Sequence, residues 1–372
     1  MLKHTTRSAT PALPPPRRYA LLMSVDEPDP VAEPATVPRS LRVLRGVAWL
    51  ALLFPAAAMA FAFLWPDNPE RTTLTFDLLG AAAFVLRSAT LHAGLAFLGL
   101  AIIAELLRER RLRLWAALAG ALLAGPTLLA LIPRAAAPAA VEPVRVMTLN
   151  LLHSNTDLDA VEASIRAADP DLLVVQEFGP AWAATLPARL ADRWPHLHAP
   201  GRADDGLAPA IFSRRPFLRA ETVRLGDGWW PADQPAVLVT HQSRELLVVG
   251  VHMPTPTSLD LITQNRRYHR RLAQLATRRG QSFIIAGDFN AAPSSVGSHD
   301  LRHAGFVDAF AAVGTGPGFT WPALGLARLA PGFRIDQLWA TPDLTPRAAA
   351  LGLPTGSDHR PVVAEWTWKP TP

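Results

Sequence analysis

The chain of 372 residues is long enough for one large domain or two modest ones, and its 49% hydrophobic content excludes general disorder despite 36 Pro and 23 Gly. It contains no Cys, which excludes disulfides and thiolate metal sites, so any metal must be held by oxygen and imidazole ligands. The formal charge of +5 comes far more from Arg than from Lys, and its distribution along the chain is more informative than its sum.

Residues 1–40 are rich in Pro, Arg and small side chains, and this composition predicts a disordered cytoplasmic tail. They are not typical of a cleaved signal peptide, whose apolar core would lie nearer the start of the chain. The composition changes at about residue 41, and residues 41–133 predict a transmembrane region.

Three apolar runs lie within this region. Residues 46–65 form a run of 20 without a charge, which is long enough to cross a bilayer core of ~30 Å as a helix. Residues 115–132 form a second uncharged run, whereas the candidate at residues 89–106 is weaker because it contains His92 and Glu105. One such run can be a buried core helix, but three closely spaced runs predict about three membrane helices.

The basic residues predict the orientation of these helices, because cytoplasmic loops carry an excess of Lys and Arg. The segment before the first run and the loop between the second and third runs are both rich in Arg. With three spans, the chain after about Pro133 lies outside the cytoplasm, whereas with two spans it lies inside. We therefore expect a multi-pass protein of the inner or plasma membrane with an extracytoplasmic C-terminal domain.

After a short Pro-rich and Ala-rich linker at residues 134–143, the pattern changes to short apolar strands that alternate with helices. This alternation predicts an α/β layered domain over residues 144–372. Strands are predicted at residues 144–151, 172–176, 209–213, 236–240, 246–251, 283–286, 333–339 and 362–366, and helices at residues 158–168, 181–193 and 260–279.

Polar side chains that do not suit a core recur at the ends of these strands. Each has an ordinary interpretation, since an Asp after a strand is commonly a cap or turn residue and a His is more often structural than a ligand. So many acids, amides and imidazoles at successive strand ends instead favour a site that binds a hard divalent cation and splits a phosphate ester. The residues concerned are Asn150, Glu177, His252, Asp288, Asn290, Asp336, Asp358 and His359.

Six segments in this domain together resemble the endonuclease/exonuclease/phosphatase superfamily, in the order in which its motifs occur. The resemblance extends from Val144 to about Trp368, and it implies a four-layer α/β sandwich with two central sheets. The segments are TLN (148–150), QE (176–177), GVHMP (250–254), GDFNAAP (287–293), RIDQLW (334–339) and SDHRPV (357–362).

The resemblance also implies a metal site. Glu177 is similar to the main ligand of the divalent cation, which in this superfamily is most often Mg²⁺ or Mn²⁺. Asp358 and Asn150 are expected close to the metal shell, and carboxylate and amide oxygens are the ligands that such a hard cation favours.

The catalytic roles are likewise implied by the resemblance. Asp288 resembles the residue that orients or deprotonates the attacking water, and Asn290 the group that holds either the phosphate oxygens or that Asp. His359 resembles the imidazole that contacts the scissile phosphate, with Asp336 as its carboxylate partner. His252 is expected near the phosphate, where it would stabilise charge or protonate the leaving group.

Two arginines adjoin these candidates. Arg334 and Arg360 are expected to bind the substrate phosphate, although a structural ion pair is an equally good interpretation of each. A further group of arginines loads the predicted helix at residues 260–279 with positive charge, which indicates either a solvated face or an attraction to anionic lipid or another polyanion.

These observations favour a membrane-anchored phosphoesterase of bacterial type that acts on a phosphorylated substrate. A lipid-linked phosphate or pyrophosphate suits an anchored enzyme, because the anchor confines the enzyme to the plane of such a substrate. An extracytoplasmic nuclease is the alternative, weakened because Lys369 is the only Lys of the soluble domain. The third possibility is a catalytically silent membrane scaffold or sensor, which would be expected to have lost groups such as Glu177 or His359.

Overall fold

The computed structural model describes residues 38–71, 73–133, 142–201, 206–226, 230–279 and 281–369. The predicted tail at residues 1–40 and the predicted linker at residues 134–143 lie almost entirely outside these ranges. Within them, the chain forms a group of N-terminal helices followed by two β-sheets with helices on their outer faces.

The N-terminal helices are α1 (Arg39–Leu64), α2 (Leu74–Ser88), α3 (Thr90–Leu106) and α4 (Arg110–Leu129). By length and composition, α1 and α4 are each able to cross a membrane, and they contain most of the first and last predicted runs. The middle run coincides with α3, which joins α2 at a bend of 64°. The described residues thus hold two candidate spans, or three if this bent pair is one span.

Small residues allow α3 and α4 to pack closely. A Cβ added to Gly94 would lie 2.5 Å from the backbone nitrogen of Ala124, so only glycine fits at this crossing. Arg45 of α1 contacts the turn between α3 and α4, where it donates to the carbonyl oxygen of Leu107 at 2.9 Å and pairs with Glu109 at 2.9 Å. Arg45 thus lies at the same end of the bundle as Arg108, Arg110 and Arg111, which makes this end basic.

The C-terminal domain contains two six-stranded sheets within the described residues. A short 3₁₀ helix at Leu326–Leu329 and five α-helices accompany them: α5 (Leu158–Ala168), α6 (Pro180–Leu190), α7 (Leu259–Arg279), α8 (Val296–His303) and α9 (Ala309–Val313). The strands in chain order are β1 (Val144–Asn150), β2 (Leu172–Gln176), β3 (His196–His198), β4 (Ala210–Ser213), β5 (Arg219–Arg224), β6 (Asp233–His241), β7 (Arg244–His252), β8 (Phe283–Asp288), β9 (Val307–Asp308), β10 (Asp336–Ala340), β11 (Leu344–Leu351) and β12 (Val362–Trp368).

The first sheet has the order β11-β12-β1-β2-β4-β3 and the second the order β5-β6-β7-β8-β10-β9. Because side chains alternate across a strand, each central strand faces two cores. Val144 and Val146 of β1 pack in the core between the sheets, whereas Met147 and Leu149 pack under α5 and α6. The second sheet has its outer core under α7 and α8. These layers confirm the predicted four-layer α/β sandwich.

The N-terminal helices also pack against this sandwich. Phe84 and two alanines of α2 are buried against Ile262 of α7 and Val296 of α8. The segment between α1 and α2 binds the arginines of α7: the buried Arg266 pairs with Asp67, Arg267 donates to the carbonyl oxygen of Pro69 at 2.9 Å, and Arg270 donates to that of Asp67 at 3.0 Å. These three arginines of α7 thus hold the N-terminal region against the sandwich.

Candidate active site

The alternation of side chains brings four of the predicted site residues into the space between the two sheets. In β8, Ile284 and Ala286 face this space, and Asp288 follows in the same alternation at the strand end. In β10, Leu338 and Ala340 face the same space, and so does Asp336. Asn150 ends β1 and His252 ends β7 with the same parity. The inner core therefore ends in polar groups at one edge of the sandwich.

Strand register brings three of these groups side by side. His252 pairs with Asp288 in the parallel ladder of β7 and β8, and Asp288 pairs with Asp336 in the antiparallel ladder of β8 and β10. His359 arrives from the loop before β12, and its Nδ1 lies 2.8 Å from Oδ2 of Asp336. The Nε2 atoms of His252 and His359 lie 3.7 Å and 3.9 Å from Oδ2 of Asp288. Asp288 is thus flanked by two imidazoles.

Burial and neighbouring charges shift the pKa values of Asp288 and His359. Burial raises the pKa of the Asp288 carboxyl to about 6, against the opposing effect of the positive charge on His359. For His359, burial alone would lower the pKa, but the carboxylates of Asp336 and Asp288 outweigh it and raise the pKa to about 10. At neutral pH the site therefore contains an imidazolium held between two carboxylates.

Glu177 follows β2 with its backbone in the left-handed region (φ 56°), a conformation that is costly for a residue with a side chain. Its Oε2 accepts hydrogen bonds from the backbone nitrogen of His153 at 2.7 Å and from the Nδ1 of that histidine at 2.9 Å. Asn150 Nδ2 lies 3.3 Å from Glu177 Oε1 and 3.1 Å from Asp288 Oδ2. Asn150 thus links the carboxylates of Glu177 and Asp288.

Burial by itself would raise the pKa of Glu177, but the hydrogen bond from the backbone of His153 and the charge of His252 outweigh it, so the pKa is lowered. Glu177 is therefore ionised at neutral pH. Sequence reasoning missed His153, because no motif marks it and only the fold brings it to Glu177.

Asn290 and Asp358 complete the predicted set. Asn290, also in the left-handed region (φ 47°), donates through Nδ2 to the carbonyl oxygen of Met253 at 2.9 Å, and its backbone nitrogen donates to Asp288 at 2.8 Å. Asp358 Oδ2 accepts from Trp321 Nε1 at 3.1 Å, whereas its buried Oδ1 has no hydrogen-bond partner. Trp321 is a second contact that the sequence did not predict.

A cavity of about 470 Å³ opens over these groups, and one of its walls comes from the N-terminal helices. Phe84, Val85 and Ser88 of α2 line it, together with Ala89 at the bend before α3. Six of the predicted residues line the same cavity: Glu177, His252, Asp288, Asn290, Asp358 and His359. Asn150 and Asp336 lie behind them and contact Asp288 and His359 respectively.

The two predicted substrate-binding arginines do not line this cavity. Arg334 is buried and forms a bidentate pair with Asp308, with both distances 2.8 Å. Arg360 donates to the carbonyl oxygen of Gly352 at 3.3 Å. Arg334 therefore forms the structural ion pair that was one of its two interpretations, because Asp308 already occupies its guanidinium group.

The donor set fits a hard divalent cation. Glu177 and Asp358 offer carboxylate oxygens to the same cavity, and the buried Oδ1 of Asp358 accepts no hydrogen bond, its cationic neighbour being His359 Nε2 at 4.0 Å. Asp288, Asp336 and His359 form a second compact group, whose ligand atoms all lie within 4.8 Å of one another. Since Nδ1 of His359 is already bonded to Asp336, the first set is the better candidate for the cation.

The fold and these groups define a metal-dependent phosphoesterase. Residues 147–359, more than half of the chain, match the model of the Endonuclease/Exonuclease/phosphatase family, and the chain belongs to that family. Its members are divalent-metal-dependent hydrolases of phosphodiester and phosphate ester bonds, and this chain is accordingly a hydrolase of that kind.

Solved structures share the fold. A humanized D. rerio TDP2 superimposes with a TM-score of 0.52 at 19% identity, covering 60% of this chain and 99% of that one. An endonuclease/exonuclease/phosphatase from Bacteroides vulgatus superimposes with a TM-score of 0.51 at 18% identity, covering 62% and 100%. Comparison with curated proteins gives no match.

Proposed function

We propose that the protein is a membrane-anchored phosphoesterase that hydrolyses a phosphate ester or pyrophosphate bond of a lipid-linked substrate. The observation that carries this proposal is the composition of the catalytic cavity. Its polar floor comes from the sandwich, and one wall comes from α2, which adjoins the helices that are apolar enough to enter a membrane. A substrate whose reactive group is a phosphate and whose remainder is apolar suits such a cavity.

The residues act as follows in this proposal. Asp288, held by the backbone nitrogen of Asn290 and flanked by His252 and His359, orients the attacking water and takes its proton. The imidazolium of His359, fixed by Asp336, stabilises the charge that develops on the phosphate oxygens. His252 lies on the other side of Asp288, where it would donate a proton to the leaving group.

Asn150, Glu177 and Asp358 would hold Mg²⁺ or Mn²⁺ in this proposal. When bound, the cation would neutralise negative charge on the phosphate. The hydrogen bonds from His153 hold the Glu177 carboxylate in one orientation, which keeps it ionised and available as a ligand.

The orientation that we propose has the catalytic domain outside the cytoplasm. Two contacts support it. The segment at residues 67–69 binds α7, so the end of α1 lies on the side of the catalytic domain, whereas Arg45 at the start of α1 meets the basic turn between α3 and α4. Arg108 lies in this turn, and Arg110 and Arg111 follow it at the start of α4. The excess of positive charge predicts a cytoplasmic position for this end of the bundle.

Cysteine labelling in whole cells tests this orientation, because the natural chain has no Cys to give a background. Leu353→Cys lies at an exposed position of the catalytic domain, and Arg111→Cys lies at an exposed position in the first turn of α4, beside the basic turn. A membrane-impermeant maleimide should label the first variant in intact cells and the second only after lysis. Labelling of Arg111→Cys alone in intact cells would indicate the opposite orientation, with the catalytic domain inside the cytoplasm.

The proposed activity is tested with the full chain in detergent micelles, because α2 forms part of the cavity. A prenyl pyrophosphate, a phospholipid set and plasmid DNA are offered with Mg²⁺ or Mn²⁺, with His359→Ala and chelator as controls. Phosphate release from a lipid substrate that is lost in both controls is the expected result. Nicking of DNA with the same dependence would make the protein a nuclease, and no reaction in any arm would favour a silent scaffold.

A further inference from the structure

A second cavity of about 460 Å³ adjoins the catalytic one. It lies between the N-terminal helices and two loops of the sandwich, the one after β8 and the one before β10, and its lining is largely apolar. Its apolar lining residues include Phe63, Leu122, Pro126, Ala292, Phe319 and Phe333.

The two cavities meet at the bend between α2 and α3. Ser88, Ala292 and Phe333 line both of them, so the catalytic cavity and the second cavity share one boundary. Ser88 is the last residue of α2, while Ala292 follows β8 two residues after Asn290. The second cavity therefore begins beside the groups that are proposed to bind the phosphate.

Hydrogen bonds hold this boundary in place. Arg87 donates through Nε to the carbonyl oxygen of Ser294 at 2.8 Å, and His92 Nε2 lies 2.9 Å from the carbonyl oxygen of Pro331. The ring of His92 also stacks on Phe333 at 4.6 Å. Contacts on both sides of the bend thus fix α2 and α3 to the loops of the sandwich.

The lining offers no unpaired charge to a polar ligand. Among the residues that line the cavity, all of which the structure describes, Arg334 is the one charged side chain, and Asp308 occupies its guanidinium. Phe63 and Leu122 line the cavity from α1 and α4 and are 44% and 76% exposed. Both residues belong to helices that are suited to a membrane by length and composition.

We infer that the second cavity binds the hydrocarbon chain of the substrate whose phosphate occupies the catalytic cavity. This inference rests on the proposed function and gives it a specificity site. A chain that enters between α1 and α4 would pass the bend at Ser88 and place its phosphate over Asp288 and His359. Apolar contact along the chain, and no charged group, would then supply the preference for long substrates.

Catalysis with two chain lengths tests the inference in the full protein. Farnesyl and dimethylallyl pyrophosphate carry the same reactive group on a long and a short chain. We expect Leu122→Trp, which obstructs the cavity, to lower kcat/KM about tenfold for the long substrate, mainly through KM, while the short substrate is unaffected. Leu118→Trp is the matched control, because Leu118 is an exposed Leu one turn earlier in α4 that does not line the cavity.

Equal kcat/KM values for the long substrate in Leu122→Trp and the natural protein would overturn the inference, and so would equal losses in Leu122→Trp and Leu118→Trp.

A second measurement does not depend on hydrolysis. An alkyl phosphonate with a diazirine at the end of its chain should label residues 122–127 and 317–319, and a long-chain phosphonate without the diazirine should prevent it. Labelling confined to other faces of the helices would contradict the chain site even if the protein hydrolyses lipid phosphates. Labelling at the predicted residues without any hydrolysis would support the site and refute the proposed function.

Discussion

Asp288 is the residue whose ionisation should control the pH dependence of the reaction. Its raised pKa of about 6 means that the carboxylate needed to take a proton from water forms only as the pH passes through that value. We expect kcat/KM to increase with pH through about 6, and to fall again near 10, where His359 loses its proton. A pH profile of initial rates at saturating metal measures both limbs. A rate that stays constant across the lower limb would show that Asp288 does not act as the base.

Asp336 should determine the charge of His359. Replacing Asp336 by Asn removes the nearest carboxylate, so the pKa of His359 should fall from about 10, which an NMR titration of the imidazole would detect. The hydrolysis rate should fall on the order of 10²- to 10⁴-fold at neutral pH. Asp159→Asn is a suitable control, because the side chain of Asp159 is 85% exposed and does not line the catalytic cavity. Unchanged activity in Asp336→Asn would remove this pair from the mechanism.

The helix α2 depends on a glycine for its contact with the sandwich. A Cβ at Gly80 would collide with the guanidinium of Arg266, which is buried and paired with Asp67, whereas Gly99 of α3 has nothing within 4 Å. We expect Gly80→Leu to separate α2 from α7 and to lower thermal stability by several degrees, while Gly99→Leu should be neutral. Thermal unfolding of both variants in the same detergent measures the difference. Equal melting temperatures would mean that α2 is not held by this contact.

The basic face of α7 illustrates how an element acquires a partner that its sequence does not specify. The arginine spacing predicts either a solvated face or an attraction to polyanions. In the structure, Arg266, Arg267 and Arg270 instead bind residues 67–69 of the same chain. Removing one member of a buried ion pair, such as Arg266 and Asp67, lowers the free energy of unfolding by about 3–5 kcal/mol, because the remaining charge is left buried without a partner. This face is therefore an internal contact, which removes one argument for a nucleic-acid substrate.

At the scale of the whole molecule, the N-terminal region should influence catalysis as well as location. A fragment of residues 144–372 would lack the wall formed by Phe84 and Val85, and it would expose Ile262 and Val296. We expect this fragment to lose most of its kcat/KM for a lipid pyrophosphate but to retain activity on a small soluble phosphate ester. Parallel assays of the fragment and the full chain measure both values. Equal activity on the lipid substrate would mean that the N-terminal helices only anchor the enzyme.

The strands of the central layers could be predicted from the sequence, because short continuous apolar runs are typical of strands that are buried on both faces. The polar groups at the strand ends could be located as well, since Asp288 and Asn150 stand where such apolar runs stop. The edge strands β3, β5, β9 and β11 were not predicted, because they are short or partly exposed and lack a continuous apolar run. The strand predicted at residues 333–339 begins later, at Asp336, and Phe333 instead forms an isolated bridge with Trp321.

Other contacts between distant groups became visible only in the folded chain. His153 reaches Glu177 across 24 residues, and α2 closes a cavity whose floor is formed more than 80 residues later in the chain. Such contacts depend on strand register and on packing between layers, which no local pattern encodes. Local periodicity thus determined the composition of the site, and the packing of α2 against the sandwich determined its shape.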